Sequence, residues 1–275
     1  MAGSSGRKTI FVTGAASGIG RATAQLFAAR GWYVGLYDID ANKLSETQAL
    51  IAADRQTSGV LDVRDREAWT NSIAQFGDQT GGKLNVLFNN AGIGRAGWFE
   101  DVAQNASDDV IDVNLRGVVN GIYAALPLLK ATPNSRIVNT ASTAAAYGMP
   151  RAAIYSATKF AVRGLTEALD IEFQRHGVRV TSLMPWFIDT AILDGAIEGG
   201  NESLRSSLGD TKIYPAAIAA QRAWDAAHGQ ATHYVVGDEA KRVSVLARLV
   251  PAMVKRQMAK RLGGPAAAPT GGSIR

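Results

Sequence analysis

Six short runs rich in β-branched and aromatic residues alternate with longer stretches of helical composition, and this alternation constrains the fold more than any other feature. The runs are Lys8–Thr13, Trp32–Asp38, Gly59–Val63, Leu84–Asn89, Arg136–Thr140 and Arg179–Met184. Helical composition occupies 21–30, 41–53, 67–76, about 107–130 and 154–176. Strands that are apolar on both faces, each followed by a helix, require a parallel sheet covered on both sides. The expected fold is α/β: a doubly wound parallel sheet with helices on both faces. A last short run at His233–Val236 brings the sheet to about seven strands. Residues 188–214 are polar and glycine-bearing and read as a flexible segment, and Pro215–His228 is helical again.

The 275 residues suit a single domain over 8–240. Residues 1–7 and 263–275 are small, polar or glycine- and proline-rich and are expected to be disordered. The chain has no cysteine, which removes disulfides, cysteine–zinc sites and thiol nucleophiles. Its three histidines are scattered, so no metal site is expected. No apolar run reaches the ~18 residues of a membrane span. Met1–Gly6 has no signal-peptide hydrophobic region, so a cytoplasmic location is expected. The net charge of +5 is uneven: from Lys241 onward there are eight basic residues and no acidic one, leaving a body of net −3. That distribution argues against a nucleic-acid-binding face on the main domain. Residues 241–262 read as a basic amphipathic helical extension interrupted by Pro251. Packing against the body is the first reading for it, and peripheral contact with an anionic membrane the second.

Gly14, Gly18 and Gly20, with Ser17 and Ile19 between them, form a turn after the first strand and before a helix. Glycine lets the backbone turn sharply and approach a pyrophosphate, and the helix N-terminus offers unpaired N–H groups to the anion. A tight βα turn without a ligand would also use glycine, but here the context matches on both sides. Asp38 ends the second strand 18 residues after Gly20, where a carboxylate can accept both ribose hydroxyls of an adenosine and would repel a 2′-phosphate. No Lys or Arg stands beside it in the chain, which favours NAD over NADP. Its plainer role would be a helix cap, which Asp40 could serve equally well.

Tyr155 and Lys159 are four apart in an expected helix and share a face. A lysine cation ~4 Å from a phenol contributes on the order of 4 kcal/mol, enough to bring its pKa toward neutrality. The pair could then exchange a proton with an alcohol or carbonyl oxygen. Ser142, just past the fifth strand, could hold that oxygen beside Tyr155. Asn89, Asn90, Ala91 and Gly92 follow the fourth strand, and Asn114 interrupts a long helix, where Asn is a poor helix former.

Taken together, TGAASGIG, Asp62–Val63, NNAG, Asn114, Ser142 and YSATK resemble the short-chain dehydrogenase/reductase family, in the family's order over about Lys8–Thr190. The resemblance implies a Rossmann-type domain with Tyr155 as general acid/base. Lys159 would lower its pKa and bind the nicotinamide ribose. Ser142 would position substrate, and Asn114 would support a water-mediated relay to Lys159. Asp62 and Val63 would contact adenine, and Asn90, Ala91 and Gly92 would shape the cofactor floor. Pro185, Ile188 and Thr190 would hold the carboxamide. Trp186 stands where the family has glycine after the proline, which questions the local backbone.

The expected activity is NAD-dependent hydride exchange with a secondary alcohol or ketone, a small molecule that is bulky and largely apolar. Residues 188–214 would cover it. Ala96, Trp98, Ala144, Tyr147, Met149, Trp186, Phe187 and Ile192 are candidate walls. The alternatives are a reductase of carrier-bound 3-oxoacyl chains and a non-catalytic cofactor sensor. Family members assemble as homodimers or homotetramers, here expected through helices 107–130 and 154–176.

Overall fold

The computed structural model describes residues 6–200 and 202–261; the disorder expected for 263–275 and for most of 1–7 lies outside them. Nine strands occur among the described residues: β1 (Thr9–Thr13), β2 (Tyr33–Asp38), β3 (Gln56–Val60), β4 (Val86–Asn89), β5 (Ala96–Gly97), β6 (Arg136–Thr140), β7 (Arg179–Pro185), β8 (Ile197–Glu198) and β9 (His233–Val236). Seven form one parallel sheet in the order β3-β2-β1-β4-β6-β7-β9. β1, β4 and β6 are buried along their whole length, as their apolar runs require. The third strand lies three residues earlier than its apolar run suggested. It is a half-exposed edge strand of sequence QTSGV, so pairing with β2 fixes its position and hydropathy does not.

The helices are α1 (Gly18–Ala29), α2 (Ala41–Ala49), α3 (Arg66–Thr80), α4 (Gln104–Ile111), α5 (Gly117–Ala131), α6 (Ala153–Glu172), α7 (Leu204–Ser207), α8 (Ala216–His228), α9 (Asp238–Leu249) and α10 (Pro251–Arg261). α1, α2 and α8 bury Phe27, Leu44 and Ala223 on one face of the sheet. α3, α5 and α6 bury Trp69, Phe76, Ile122 and Val162 on the other. Asp40 and Asp65 cap α2 and α3 through backbone N–H groups. Tyr123 and Ile171 project into solvent from α5 and α6. The C-terminal extension is two helices, because Pro251 cannot continue α9. Its Ala240 and Val254 are buried, whereas Val245, Leu249 and Met253 are exposed. No described helix is long and apolar enough to cross a membrane.

Two departures bear on function. The helix expected over 107–130 is broken into α4 and α5 by one wide i→i+5 turn at Asp112–Arg116, centred on Asn114. Residues 188–214, expected to be flexible, are tied into the fold. β8 pairs with β5, Ile188 bridges to Tyr214, and Arg205 reaches both Asp189 and Asp194 at 2.7 Å.

Candidate active site

The strand order reverses between β1 and β4, and ligand crevices in doubly wound sheets open there, at the carboxyl ends of the strands. The turn after β1 lies on that edge. Gly14 has φ +67°, and a Cβ on it would lie 2.9 Å from the Ala91 backbone. A Cβ on Gly20 would lie 1.9 Å from the Gly14 carbonyl oxygen, and one on Gly18 would meet the Thr190 methyl at 2.7 Å. Ser17 is the exposed N-cap of α1 and makes no side-chain cap, while Ile19 packs on the core. The turn is thus a backbone cradle with free N–H groups at a helix start, which fits a dinucleotide pyrophosphate.

Thr13 joins this cradle to the loop after β4. Its hydroxyl accepts from the N–H groups of Asn90 and Ala91, both at 3.0 Å, and the Asn90 amide donates to the Thr13 carbonyl at 3.0 Å. Thr13 opens the TGAASGIG motif, but a threonine ending an apolar strand gives no sign of this bracing role.

Asp38 stands at the end of β2, and each carboxylate oxygen accepts one backbone N–H at 3.0 Å, from Ala16 and from Asp40. A carboxylate has about four acceptor sites, so places for ribose hydroxyls remain. The cap of α2 is Asp40, which frees Asp38 from that role. In space, unlike in sequence, a cation lies close by. The Arg21 guanidinium donates through Nη2 to the Ala16 carbonyl at 2.6 Å and to Glu46, and through Nε to Thr47. Asp62 is gripped by Arg64, which holds its carboxyl below the usual range. The Val63 carbonyl accepts from the Trp69 indole and the Asn120 amide. These bonds fix the Asp62–Val63 backbone beside the crevice.

Four chemistry-bearing side chains converge at the ends of β4 and β6. Lys159 is 4% exposed and donates to the Thr140 carbonyl at 2.9 Å. The Tyr155 phenol neighbours the Ser142 hydroxyl, which works against the rise of its pKa. That hydroxyl also accepts the Ala144 N–H at 3.1 Å, which fixes its direction. Fully buried Asn114 accepts the Ile93 N–H and donates to the Ile93 carbonyl, both at 2.9 Å. Asn114 and Lys159 approach one spot: a Cβ on Gly92 would sit 3.1 Å from Asn114 Oδ1 and 3.6 Å from Lys159 Nζ. The wide turn in the α4–α5 helix aims Asn114 at this loop, a role that its poor helix propensity only hinted at.

The electrostatics depart from expectation. Lys159 was expected to lower the phenol pKa from ~4 Å. Its ammonium lies 5.4 Å from the phenol ring centre and is held by Thr140. Burial raises the Tyr155 pKa, and the Ser142 hydrogen bond opposes this more weakly. The phenol therefore stays protonated at neutral pH. Burial also pushes Lys159 down to about 8. Between about 8 and the unfolded value near ~10.4, the unfolded chain binds a proton that the folded one has released, so stability rises with pH there. Denaturant titrations should show wild type gaining roughly 2–3 kcal/mol relative to Lys159→Met over that interval. Parallel pH profiles would contradict the buried-ammonium reading.

Pro185 ends β7, and its carbonyl accepts the Thr143 hydroxyl at 2.9 Å, which joins the Ser142 loop to the β7 end. Ile188 is buried, and the Thr190 hydroxyl donates to its carbonyl. Trp186 takes an ordinary backbone conformation, because Asn134 and Arg151 are the only described non-glycine residues with positive φ. Its ring meets Phe187 edge-on at 5.1 Å, so glycine is not required here. Of the candidate walls, Ala96 and Ala144 are buried, and Trp98 is exposed at the rim. No group of residues suited to a metal ion occurs among the described residues.

This fold and crevice define a dinucleotide-binding oxidoreductase scaffold. The family profile of short chain dehydrogenases matches residues 8–199, and the chain belongs to that family of oxidoreductases. The oxidoreductase SadH of Mycobacterium tuberculosis is 36% identical over 265 residues, covering 92% of this chain and 94% of its own. A short-chain dehydrogenase/reductase from Burkholderia phymatum, solved in complex with NAD, superposes with a TM-score of 0.79 at 26% identity and covers 98% of both chains. A short chain dehydrogenase from Burkholderia cenocepacia, solved in complex with NADP, shares the fold with a TM-score of 0.77 at 23% identity over 92% of this chain and 97% of its own.

Proposed function

We propose that the chain is an NAD-dependent oxidoreductase that interconverts a secondary alcohol and a ketone, with Tyr155 as the general acid/base. The observation that carries this reading is the meeting of the Tyr155 phenol and Ser142 hydroxyl beside buried Lys159, next to a backbone cradle that admits only glycine at position 20. The glycine turn would hold the pyrophosphate, and Asp38 the adenosine ribose. When bound, the nicotinamide supplies the hydride donor or acceptor. Ser142 and Tyr155 together hydrogen-bond the substrate oxygen. The protonated phenol gives its proton to a carbonyl oxygen in reduction and recovers it from the hydroxyl in oxidation. Lys159, anchored on the Thr140 carbonyl, would hold the nicotinamide ribose. Asn114 keeps the Ile93 loop and the floor at Gly92 in place and would support a proton path past Lys159. The substrate body is largely apolar, lying between Trp98, Trp186 and the segment 188–214.

Preference for NAD rests on the Asp38 carboxylate and on the engagement of Arg21 with Glu46. Wild type should show a higher kcat/KM with NADH than with NADPH. Asp38→Asn should shrink that ratio by about tenfold or more, the scale of one hydrogen bond to a charged group. A wild-type preference for NADPH would overturn the assignment.

A further inference from the structure

A small open cleft, with about 20 Å3 of enclosed space, adjoins the proposed site, and Tyr155 forms part of its wall. Arg95, Arg151, Phe99, Ala152 and Ile154 are among the residues around it, and none of the lining side chains is acidic. Neither arginine appears in any ion pair among the described residues. Glu198 lies against Gly97 on the adjoining rim and engages neither of them. The Arg151 Nε is shut from solvent and has no hydrogen-bond acceptor among the described residues. A buried guanidinium donor left this way is costly and calls for a partner.

Two further features converge on the cleft. Arg151 has φ +63°, a left-handed conformation that a non-glycine residue keeps only where its surroundings impose it. Its carbonyl accepts the Gly97 N–H at 2.8 Å, and its guanidinium lies 5.6 Å from the Trp98 ring, so both ends are fixed. The same wall carries the start of α6. Its N-cap, Ala152, has no side-chain acceptor, and its first turn has no acidic residue, so the positive end of a 20-residue helix faces the cleft uncompensated. Two guanidiniums with no ion pair among the described residues, one of them over the Trp98 ring, an orphaned buried N–H and a helix start without a side-chain cap share one concave wall, and this set suits an anion.

We propose that this cleft binds a carboxylate carried by the substrate, with Arg151 as the main recognition residue and Arg95 closing over it from the rim. The inference rests on the alcohol/ketone reading, because Tyr155 is shared between the cleft and the reacting oxygen. The preferred substrate is then a ketone or alcohol with an apolar body and an anionic end. Arginine suits the task, since its planar fork matches a carboxylate bidentately.

The test compares benzoylpropionate with its methyl ester, two ketones that differ by one negative charge, on NADH-loaded protein. Dissociation constants come from calorimetry on the NAD-loaded form and kcat/KM from cofactor absorbance. Wild type should bind the acid about tenfold or more tightly than the ester. Arg151→Gln and Arg95→Gln should each reduce that ratio, and the double variant should bring it near unity. Arg95 is exposed, so its variant reports even if Arg151→Gln disturbs the turn. Equal affinity for acid and ester in wild type, or a ratio unchanged in the double variant, would overturn the proposal. A carboxylate preference in binding without reduction of either ketone would support the anion site and count against the hydride-transfer reading. Reduction of both with equal affinity would do the reverse.

Discussion

Tyr155→Phe should lower kcat by roughly 10²–10⁴-fold, the usual contribution of a positioned general acid or base, while NADH binding changes little. The substitution removes one oxygen and leaves the ring in place. Lys159 is anchored on the Thr140 carbonyl rather than on the phenol, so its position does not depend on that oxygen. Ser142 keeps its bond from the Ala144 N–H. The glycine cradle and Asp38 are on other loops and are untouched. Loss of turnover with retained cofactor binding is therefore the expected pair of results, read by initial rates and by NADH fluorescence. Turnover within a fewfold of wild type would remove Tyr155 from the acid/base role.

Gly20→Ala should have the second large effect, and it falls on the cradle instead of the chemistry. The new methyl carbon would sit 1.9 Å from the Gly14 carbonyl oxygen and 2.8 Å from the Asn90 amide. Neither can retreat easily, because one is backbone and the other is bonded to the Thr13 carbonyl. Overpacking of a well-packed site costs about 1–3 kcal/mol, and a backbone clash this close belongs at the upper end. That corresponds to a fall of roughly 10 °C in Tm for a domain of this size. The turn must also open, misaligning the N–H groups that would meet the pyrophosphate. Losing two charge-assisted hydrogen bonds at ~1.5–3 kcal/mol each weakens NADH binding by about 100-fold or more. Gly164→Ala is the matched control. Nothing lies within 4 Å of its built Cβ, and alanine in a helix interior should hold or raise Tm.

The sequence made the sheet readable because its central strands are buried on both faces, so that hydropathy and structure report the same thing. At β3 they diverge: an exposed edge strand has no reason to be apolar, and the apolar residues Leu61 and Val63 belong to the loop that follows. The broken helix around Asn114 was only half legible. Asn signalled a defect there, but the wide turn and the clamp on Ile93 depend on a loop about twenty residues away. The two-residue strands β5 and β8 lie beyond any periodicity argument, and yet they hold the segment that was expected to be flexible. The motif residues at the C-terminal ends of β1, β2, β4 and β6 fell where topology puts a ligand crevice. What those motifs did not show were the bonds that brace them: Thr13 accepts from the Asn90 and Ala91 N–H groups, Arg64 grips the Asp62 carboxylate, Asn120 donates to the Val63 and Arg64 carbonyls, and Thr143 donates to the Pro185 carbonyl.

The electrostatic expectation failed for a physical reason. The four-residue spacing of Tyr155 and Lys159 puts both on one helix face, but it does not say where a long side chain ends. Lys159 turns to the Thr140 carbonyl, and burial then acts on both groups in the direction of neutrality. The protonated phenol that results is poised to donate, which suits the reduction of a carbonyl.

The most direct test is a cofactor-coupled screen of purified protein against ketones and secondary alcohols of graded size, run with NADH or NAD and repeated with NADPH or NADP. The expected result is Tyr155-dependent oxidation of NADH by at least one ketone with an apolar body, with weaker rates on NADPH. A protein that binds NADH but turns over no ketone or alcohol in the panel with either cofactor would contradict the account.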